Sequence, residues 1–467
     1  MTLSRQIWAE LCVAAMLTGL VTHPAAAQAA PPTTASPATT ATTEGSTPAN
    51  GQANAPQQAY TLPADKVAKA IALNRIRNIL ETAGPVWGIV VLWLLLATKG
   101  AARLEGWAQK IASPRWVQGV VFFAALFLIT ELAGLPLDWI GYHYEGAYGI
   151  SVQGWGSWVW DQAKALGLTL GLGVPVYLLF NWIVRRWPRR YWLGLWVVTL
   201  PILVIVIFAL PLVVPLFYTQ EPLQKNHAAL VAKLETVVAR TGTKIPPDRM
   251  YLIKASEKST GINAFVTGIG TTKRFVMWDT ATDQLPDDEV LFIFGHEGGH
   301  YVLGHIPKEI AGDAVGLLFV YWTCAGFAAW LLKRFGARWG AADLHLADKG
   351  QSMGAPGLSS RTGFVVLLFA ISIAGFLLEP AGNAFSRHFE HEADVYGQEA
   401  VHGLVPDPQK TAVAAFEALG ESWLEDPNPN PFIEFWLDSH PSVKQRANFA
   451  MHYDPWASGG HGEFFKN

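Results

Sequence analysis

The sequence predicts a mainly α-helical, polytopic membrane protein that also contains a small β-hairpin or meander. Three observations support this fold class. The chain of 467 residues is 51% hydrophobic and only 15% charged, a balance far from that of an average soluble domain. Six apolar stretches follow the N-terminus, and most are long enough to cross a hydrocarbon core of about 30 Å. The stretch 191–219 carries no charged residue, which argues against buried helices of a large soluble enzyme.

The N-terminus has the pattern of a secretory signal. Arg5 precedes an apolar run over residues 11–21, and the small residues before Gln28 predict cleavage after Ala27. Residues 1–27 are therefore interpreted as a signal peptide, or as an uncleaved N-terminal anchor. Residues 28–59 are rich in Ala, Thr, Pro, Gln and Gly with a single charge at Glu44, so we expect a disordered linker.

The apolar stretches place six membrane spans after this linker. They cover 83–98, 116–130 with an extension through Leu137, 165–184, 191–219, 314–332 and 362–378. Basic residues mark the cytoplasmic ends of spans, and they concentrate after the first span, at 99–115, and between the third and fourth, at 185–190. Alternation then places residues 220–313 on the other side. We expect a multi-pass protein of a bacterial inner membrane in which this region faces the periplasm.

One region between the fourth and fifth spans has the pattern of a β-sheet. Short runs rich in β-branched and aromatic residues cover 249–254, 263–267 and 274–278, and turn residues separate them. The sequence therefore predicts a small hairpin or meander before the segment that carries the chemistry.

That chemistry is indicated by the pentapeptide His296-Glu297-Gly298-Gly299-His300. Positions i and i+4 share a helix face, so both imidazoles can bind one Zn²⁺ while Glu297 reaches the water that the metal activates. Carboxylates at 287–289 followed by an apolar run at 290–294 predict a helix that enters a buried environment. The pattern is typical of a zinc metallopeptidase, although an ordinary polar helix with two histidines also fits the pentapeptide.

A zinc peptidase needs a third protein ligand, and the segment 383–394 offers the best candidate. Glu390 and Asp394 are i and i+4, so a ligand carboxylate and a second carboxylate that orients a histidine share one face. His391 and Glu392 point roughly 100° and 200° away and are weaker candidates. His305 does not fit the metzincin spacing and is interpreted as a supporting residue or a helix-end histidine. A charged surface helix is the alternative for 383–394.

These motifs resemble the type I CAAX prenyl endopeptidases and their bacterial relatives, which are integral-membrane zinc metallopeptidases of the gluzincin type. The matching segments are HEGGHYVLGH at 296–305, NAFSRHFEHEAD at 383–394, Asn263-Ala264-Phe265, and Ser439-His440-Pro441 followed by Arg446. Their order and spacing agree with the family. The resemblance extends from about Tyr60 to about Tyr453.

The resemblance implies roles for individual residues. It implies one zinc ion per chain, Glu297 as the catalytic base and His440 as a residue that stabilises the oxyanion. It also implies that the metal ligands are His296, His300 and Glu390 and that they are supported by Asp394 and Arg446. The implied substrate-binding edge strand consists of Asn263, Ala264 and Phe265. The alternative for the edge strand is a structural hairpin without contact to substrate.

With the motifs placed, the chain divides into further regions after the linker. Residues 60–219 hold spans one to four, and 220–310 form a peptidase region with the β-meander and the HEGGH helix. Residues 311–380 hold spans five and six, and 381–467 hold the third-ligand helix and a C-terminal peptidase region. The Gly-rich stretch from Ser458 to Gly462 is expected to be frayed.

The predicted protein is a zinc-peptidase core within membrane helices, a metalloendopeptidase that acts on a peptide or protein substrate at the lipid bilayer. Its expected task is the processing or quality control of envelope proteins, with CAAX-type C-terminal processing as the alternative. A polytopic transporter or chaperone-like protein with an incidental or inactive zinc site is the alternative of another class. The net charge of −3 and the lack of a phosphate-binding motif give no reason to expect nucleic acid. The oligomeric state is not determined by the sequence.

Overall fold

The computed structural model describes residues 60–268, 270–341, 358–457 and 459–466. The predicted signal peptide and linker, residues 1–59, lie outside the described residues. The helices in chain order are α1 (Ala64–Ala97), α2 (Gly100–Ile111), α3 (Arg115–Ala147), α4 (Trp155–Arg186), α5 (Tyr191–Phe217), α6 (Ala228–Thr241), α7 (Asp279–Gln284), α8 (Asp287–Val302), α9 (His305–Phe335), α10 (Arg361–Val401), α11 (Pro408–Trp423), α12 (Pro431–Leu437) and α13 (Val443–His452).

Six of the described helices are long and apolar enough to cross a membrane: α1, α3, α4, α5, α9 and α10. This confirms the predicted fold class and the predicted number of spans. Most of these helices are longer than the apolar stretches in the sequence. The first begins at Ala64, well before the apolar residues at 83–98, because its first turns are polar and amphipathic.

The longest helix, α10, joins two segments that the sequence predicts separately. The prediction divides the sixth span from the third-ligand helix at residue 380, but one continuous helix covers both. Pro380 lies inside it, and a proline removes one backbone hydrogen bond without ending this helix. The apolar pattern stops before the charged block at 383–394. Hydropathy alone therefore predicts two segments where the backbone forms one helix. The candidate ligand Glu390 is therefore mounted on the extension of a membrane helix.

The sheet has four strands, β1 (Gln220–Pro222), β2 (Met250–Ile253), β3 (Ala264–Thr267) and β4 (Arg274–Trp278), in the order β1-β2-β4-β3. The expected hairpin is present as the antiparallel pair β3 and β4. The sheet is mixed rather than a simple meander, because β2 pairs with β4 in parallel. The connection after β2 carries the chain past the position of β4 before β3 forms, which leaves β3 at one edge.

Helices α8 and α10 approach each other closely through glycines. A Cβ atom added to Gly397 would lie 2.8 Å from the backbone N of His296, and one added to Gly299 would lie 3.0 Å from the Cβ of Tyr396. Glycine in a helix interior costs about 1 kcal/mol relative to alanine. At Gly397 the close approach requires glycine, because an added Cβ would overlap the backbone of α8.

The C-terminal tail is bound to the end of α10. Buried Glu399 accepts hydrogen bonds from the backbone N of Glu463, Phe464 and Phe465 at 2.5, 2.8 and 2.9 Å. The rings of Phe464 and Phe465 pack on Tyr396, with centroid distances of 5.6 and 5.0 Å. The expected fraying of the Gly-rich end therefore does not extend to Gly462, which is buried against Glu399.

The close crossing of α8 and α10 makes Gly397→Ala destabilising. The added methyl group would overlap the backbone of α8, and overpacking of this kind costs about 1–3 kcal/mol. We expect a lower melting temperature of the purified protein in detergent micelles. Gly375→Ala is the matched control on the same helix, where an added Cβ meets nothing within 4 Å. Equal melting temperatures for the two variants would contradict the proposed contact.

Candidate active site

Helix α8 places two histidines on one face. It begins after Pro286, and its first turn carries Asp287, Asp288 and Glu289, whose charges interact favourably with the positive end of the helix. The following residues 290–294 are buried and fix the helix in the core. As a result the Nε2 atoms of His296 and His300 lie 3.2 Å apart.

Glu390 completes a group of three possible metal ligands. Its Oε2 lies 3.5 Å from His296 Nε2, and its Oε1 lies 3.6 Å from His300 Nε2. The ligand atoms of these three residues all lie within 4.8 Å of one another. Glu390 Oε2 is buried and has no hydrogen-bond partner among the described residues. Two imidazole nitrogens and one carboxylate oxygen are a donor set that suits Zn²⁺ and leaves a fourth position open.

Asp394 and Arg446 support His296 from behind. His296 Nδ1 lies 2.9 Å from Asp394 Oδ1, and the guanidinium of Arg446 donates to both carboxylate oxygens at 2.9 and 2.6 Å. Burial opposes the charge of Arg446, but the two carboxylates Asp394 and Glu390 outweigh it and raise its pKa. The contact at Nδ1 fixes the orientation of the His296 ring and leaves Nε2 facing Glu390.

His305 supports His300 in a different way. Gly304 has a φ of 71°, a left-handed conformation that ends the helical turn after α8 and starts α9 at His305. The chain reversal brings His305 Nδ1 to 3.1 Å from His300 Nδ1, while His305 Nε2 lies 3.0 Å from Glu392 Oε2. From the sequence, Glu392 is only a weaker candidate for a metal ligand. It contacts the site through His305 instead, a connection that helix periodicity cannot indicate.

Glu297 lies against the edge strand of the sheet. The backbone N of Val266 donates a hydrogen bond to Glu297 Oε2 at 3.3 Å. Burial raises the pKa of Glu297 to about 7, while His296 acts in the opposite direction. The substrate-binding strand predicted from the sequence includes Asn263, Ala264 and Phe265 but not Val266. The structure pairs Ala264 and Phe265 with β4, and the buried Nδ2 of Asn263 has no hydrogen-bond partner among the described residues.

His440 reaches the site from the loop between α12 and α13. Its Nε2 lies 3.1 Å from Glu390 Oε1. Its Nδ1 lies 3.2 Å from the hydroxyl of Ser439. The structure therefore brings together, at one site, residues from four separate sequence motifs.

The two histidines of α8 differ in the charge that their surroundings favour. Burial lowers the pKa of His300 to about 3, so this imidazole is neutral and offers a lone pair. Burial alone would also lower the pKa of His296, but the neighbouring carboxylates of Asp394 and Glu390 raise it to about 9. The carboxylates thus make the site favourable for a positive charge, which is the condition for binding a cation.

Comparison with known proteins identifies the family. The sequence profile of peptidase family M48 matches residues 224–453, and a profile described as the CAAX prenyl protease N-terminal, five membrane helices, matches residues 50–219. The uncharacterized metalloprotease YhfN of Bacillus subtilis is 32% identical over 388 residues, which are 82% of this chain and 85% of that protein. The chain belongs to peptidase family M48.

Two further relatives extend the likeness. CAAX prenyl protease 1 of Saccharomyces cerevisiae is 24% identical over 70% of this chain and 71% of its own length. The crystal structure of S. mikatae Ste24p has the same fold, with a TM-score of 0.66 at 20% identity, over 84% of this chain and 89% of that one.

Membership in M48 confirms the predicted enzyme class. The protein is a membrane metalloprotease that acts on a peptide or protein substrate, and the alternative of a transporter is excluded. The predicted resemblance to the CAAX prenyl proteases is also confirmed. An M48 protease requires a metal, typically zinc, and the group formed by His296, His300 and Glu390 has suitable donor atoms.

The contact between His305 and His300 leads to a prediction about metal affinity. We expect His305→Ala to weaken zinc binding about 10- to 100-fold, because the partner that orients the candidate ligand His300 is lost. Competition with a chromophoric chelator measures the affinity. His452→Ala, which removes a histidine bonded to the Asn448 carbonyl at the end of α13, is the control. Unchanged affinity in His305→Ala would show that His300 does not depend on this contact.

Proposed function

We propose that this M48 protease hydrolyses peptide bonds at a site in which His296, His300 and Glu390 hold one zinc ion per chain. The observation that supports this most strongly is the convergence of two imidazole Nε2 atoms on the buried carboxylate of Glu390, whose Oε2 has no hydrogen-bond partner among the described residues. When bound, zinc lowers the pKa of a water molecule and polarises the scissile carbonyl. The remaining steps depend on side chains of the chain itself.

Glu297 is proposed as the general base and then the general acid. It takes a proton from the attacking water and delivers it to the leaving amine. A carboxyl group whose pKa is raised to about 7 by burial is suited to both steps near neutral pH. The hydrogen bond from Val266 holds one carboxylate oxygen toward the sheet, so the side chain stands between the ligand group and the edge strand.

His440 is proposed to stabilise the negative charge that develops on the carbonyl oxygen. Its Nε2 is at the ligand group, 3.1 Å from Glu390 Oε1, and Ser439 holds the opposite nitrogen. A ring N–H directed at developing charge in a buried site is effective because little reorganisation is needed during the reaction. Arg446 contributes positive charge behind Glu390, with Nη2 3.7 Å from Glu390 Oε2.

The substrate is proposed to bind as an additional strand on β3. In an antiparallel pair the backbone groups of alternate residues point toward the partner strand and away from it. The N–H of Val266 points to Glu297, so the backbone of Ala264 and Val266 forms the free edge of the sheet beside the catalytic carboxylate. An extended peptide paired there would place a peptide bond near Glu297. The Nδ2 group of Asn263, for which the described part of the chain supplies no hydrogen-bond partner, offers a further donor at the start of this edge.

The site is proposed to face the periplasm of a bacterial inner membrane. Helix α5 begins after the four arginines between 185 and 190, and its other end leads directly to β1. Helix α9 begins at His305 beside the site and ends with Lys333 and Arg334. The basic residues therefore lie at the helix ends opposite the site, and such ends are cytoplasmic. This supports envelope or membrane proteins as substrates over the prenylated C-termini suggested by the names of the eukaryotic relatives.

The proposed chemistry predicts that Glu297→Gln keeps zinc but loses proteolysis by about 10²-fold or more, because glutamine cannot accept a proton. The assays are metal analysis and cleavage of fluorescein-labelled casein and of a farnesylated CAAX peptide in detergent. Glu289→Gln, in the first turn of the same helix, is the control. Near-normal turnover in Glu297→Gln would exclude the mechanism. Preferential cleavage of the farnesylated peptide by the unaltered protein would favour the CAAX alternative.

The proposed orientation predicts opposite labelling at the two ends of the bundle. In a background without Cys12 and Cys324, a cysteine replacing Glu257 near β2 should react with a membrane-impermeant thiol reagent in intact cells. A cysteine replacing Pro188 between α4 and α5 should react only after the membrane is broken. The reverse pattern would place the site in the cytoplasm and make cytosolic substrates the better candidates.

A further inference from the structure

One face of α10 carries two polar residues to which the mechanism assigns no role. Asn383, Arg387, Glu390 and Asp394 are spaced by four, three and four residues, so all four lie on the same side of the helix. Glu390 and Asp394 belong to the ligand group. The other two contact the segment that carries His440. We propose that Arg387, assisted by Asn383, is a positioning residue that holds His440 at the site.

Arg387 and Asn383 bind the C-terminal end of α12. Arg387 Nη1 donates to the carbonyl oxygens of Glu434 and Phe435 at 3.3 and 3.5 Å and also to that of Asp438. Asn383 Nδ2 donates to the carbonyl oxygen of Trp436 at 2.7 Å. The last carbonyls of a helix have no partner within it, and their partial negative charge favours a cation. The two side chains satisfy the carbonyls of Phe435 and Trp436 and add a second donor to that of Glu434, which already accepts from the backbone N of Asp438. They also hold α12 in place, because a helix of seven residues is not stable by itself.

The capped helix end continues directly into the loop that contains His440. Within that loop, Glu434 Oε1 accepts a hydrogen bond from the backbone N of Ser442 at 3.0 Å, so the loop is closed on α12. Ser439 contacts His440 Nδ1, and His440 Nε2 lies 3.1 Å from Glu390 Oε1. One helix, α10, therefore supplies the candidate ligand and also anchors the loop that places His440 beside it.

This arrangement separates the effect of Arg387 from metal binding. Arg387 makes no described contact with His296, His300 or Glu390, so removing it leaves the ligand group in place. The loop would lose three of the hydrogen bonds that anchor it, and a shift of about 1 Å at a catalytic group can cost about 10²-fold in rate. Lysine carries the charge but ends in a tetrahedral ammonium on an unbranched chain, not in the planar guanidinium whose Nη1 contacts the three carbonyls, so it replaces arginine only in part.

The inference rests on the proposed role of His440, and a double-mutant cycle tests it. We expect Arg387→Ala to lower the apparent kcat on fluorescein-labelled casein about 10- to 100-fold with unchanged zinc content. In the His440→Ala background the same substitution should have no further effect, because there is no imidazole left to position. Arg387→Lys should recover part of the rate. Arg249→Ala, in the short turn before β2, is the matched control and should keep full activity.

The outcomes distinguish this inference from the proposed function. Equal and additive losses from Arg387→Ala in both backgrounds, or a loss of zinc, would show a general structural role and overturn the inference. Full activity of His440→Ala would instead refute the proposed role of His440, and the inference with it. If Arg387→Ala does not fold, Arg387→Lys and Asn383→Ala remove fewer hydrogen bonds and serve in the same cycle. Additivity in those cycles would also overturn it.

Discussion

The close crossing of α8 and α10 is the contact on which the site depends. Gly397 lies against the backbone of His296, and Gly299 lies against Tyr396, so the two helices approach more closely than larger side chains would allow. This distance brings the imidazoles of one helix to the carboxylate of the other. The free energy lost by placing glycine within a helix is offset by packing, and the site geometry follows from that packing.

The supports around the site are arranged on both sides of this crossing. Asp394 and Arg446 orient His296, whereas His305, which is itself in contact with Glu392, contacts His300. The edge of the sheet approaches from a third direction through the hydrogen bond between Val266 and Glu297. The supports come from α9, α10, α13 and β3, so the site geometry is fixed by tertiary contacts between several elements.

Helix α10 also links the membrane and the extramembrane part of the molecule. Its first half is one of the apolar helices, and its second half carries Glu390 and Asp394 and ends where Glu399 binds the C-terminal tail. The helix that carries Glu390 is therefore continuous with one of the membrane helices. A soluble peptidase domain attached to membrane anchors would not have this continuity, and the bilayer restricts how α10 can tilt or move.

Much of the fold and of the candidate site could be predicted because it depends on local patterns. Hydropathy indicated the number of spans, and β-branched runs indicated three of the four strands. Parallel pairing of β2 with β4 and the continuity of α10 through Pro380 could not be predicted, since neither leaves a periodic signal. The contacts of Val266, Glu392 and Arg387 were missed for the same reason: each joins elements far apart in the chain.

The sequence by itself determined which chemical groups share a helix face. The spacing of His296 and His300, and of Glu390 and Asp394, follows from the helical repeat alone. Only the tertiary structure decided which nitrogen of each imidazole faces Glu390, which strand edge borders Glu297 and how His440 reaches the ligand group. The physical reason is that a side chain's direction in its own helix is a local property, whereas the partner it meets depends on how closely two helices pack.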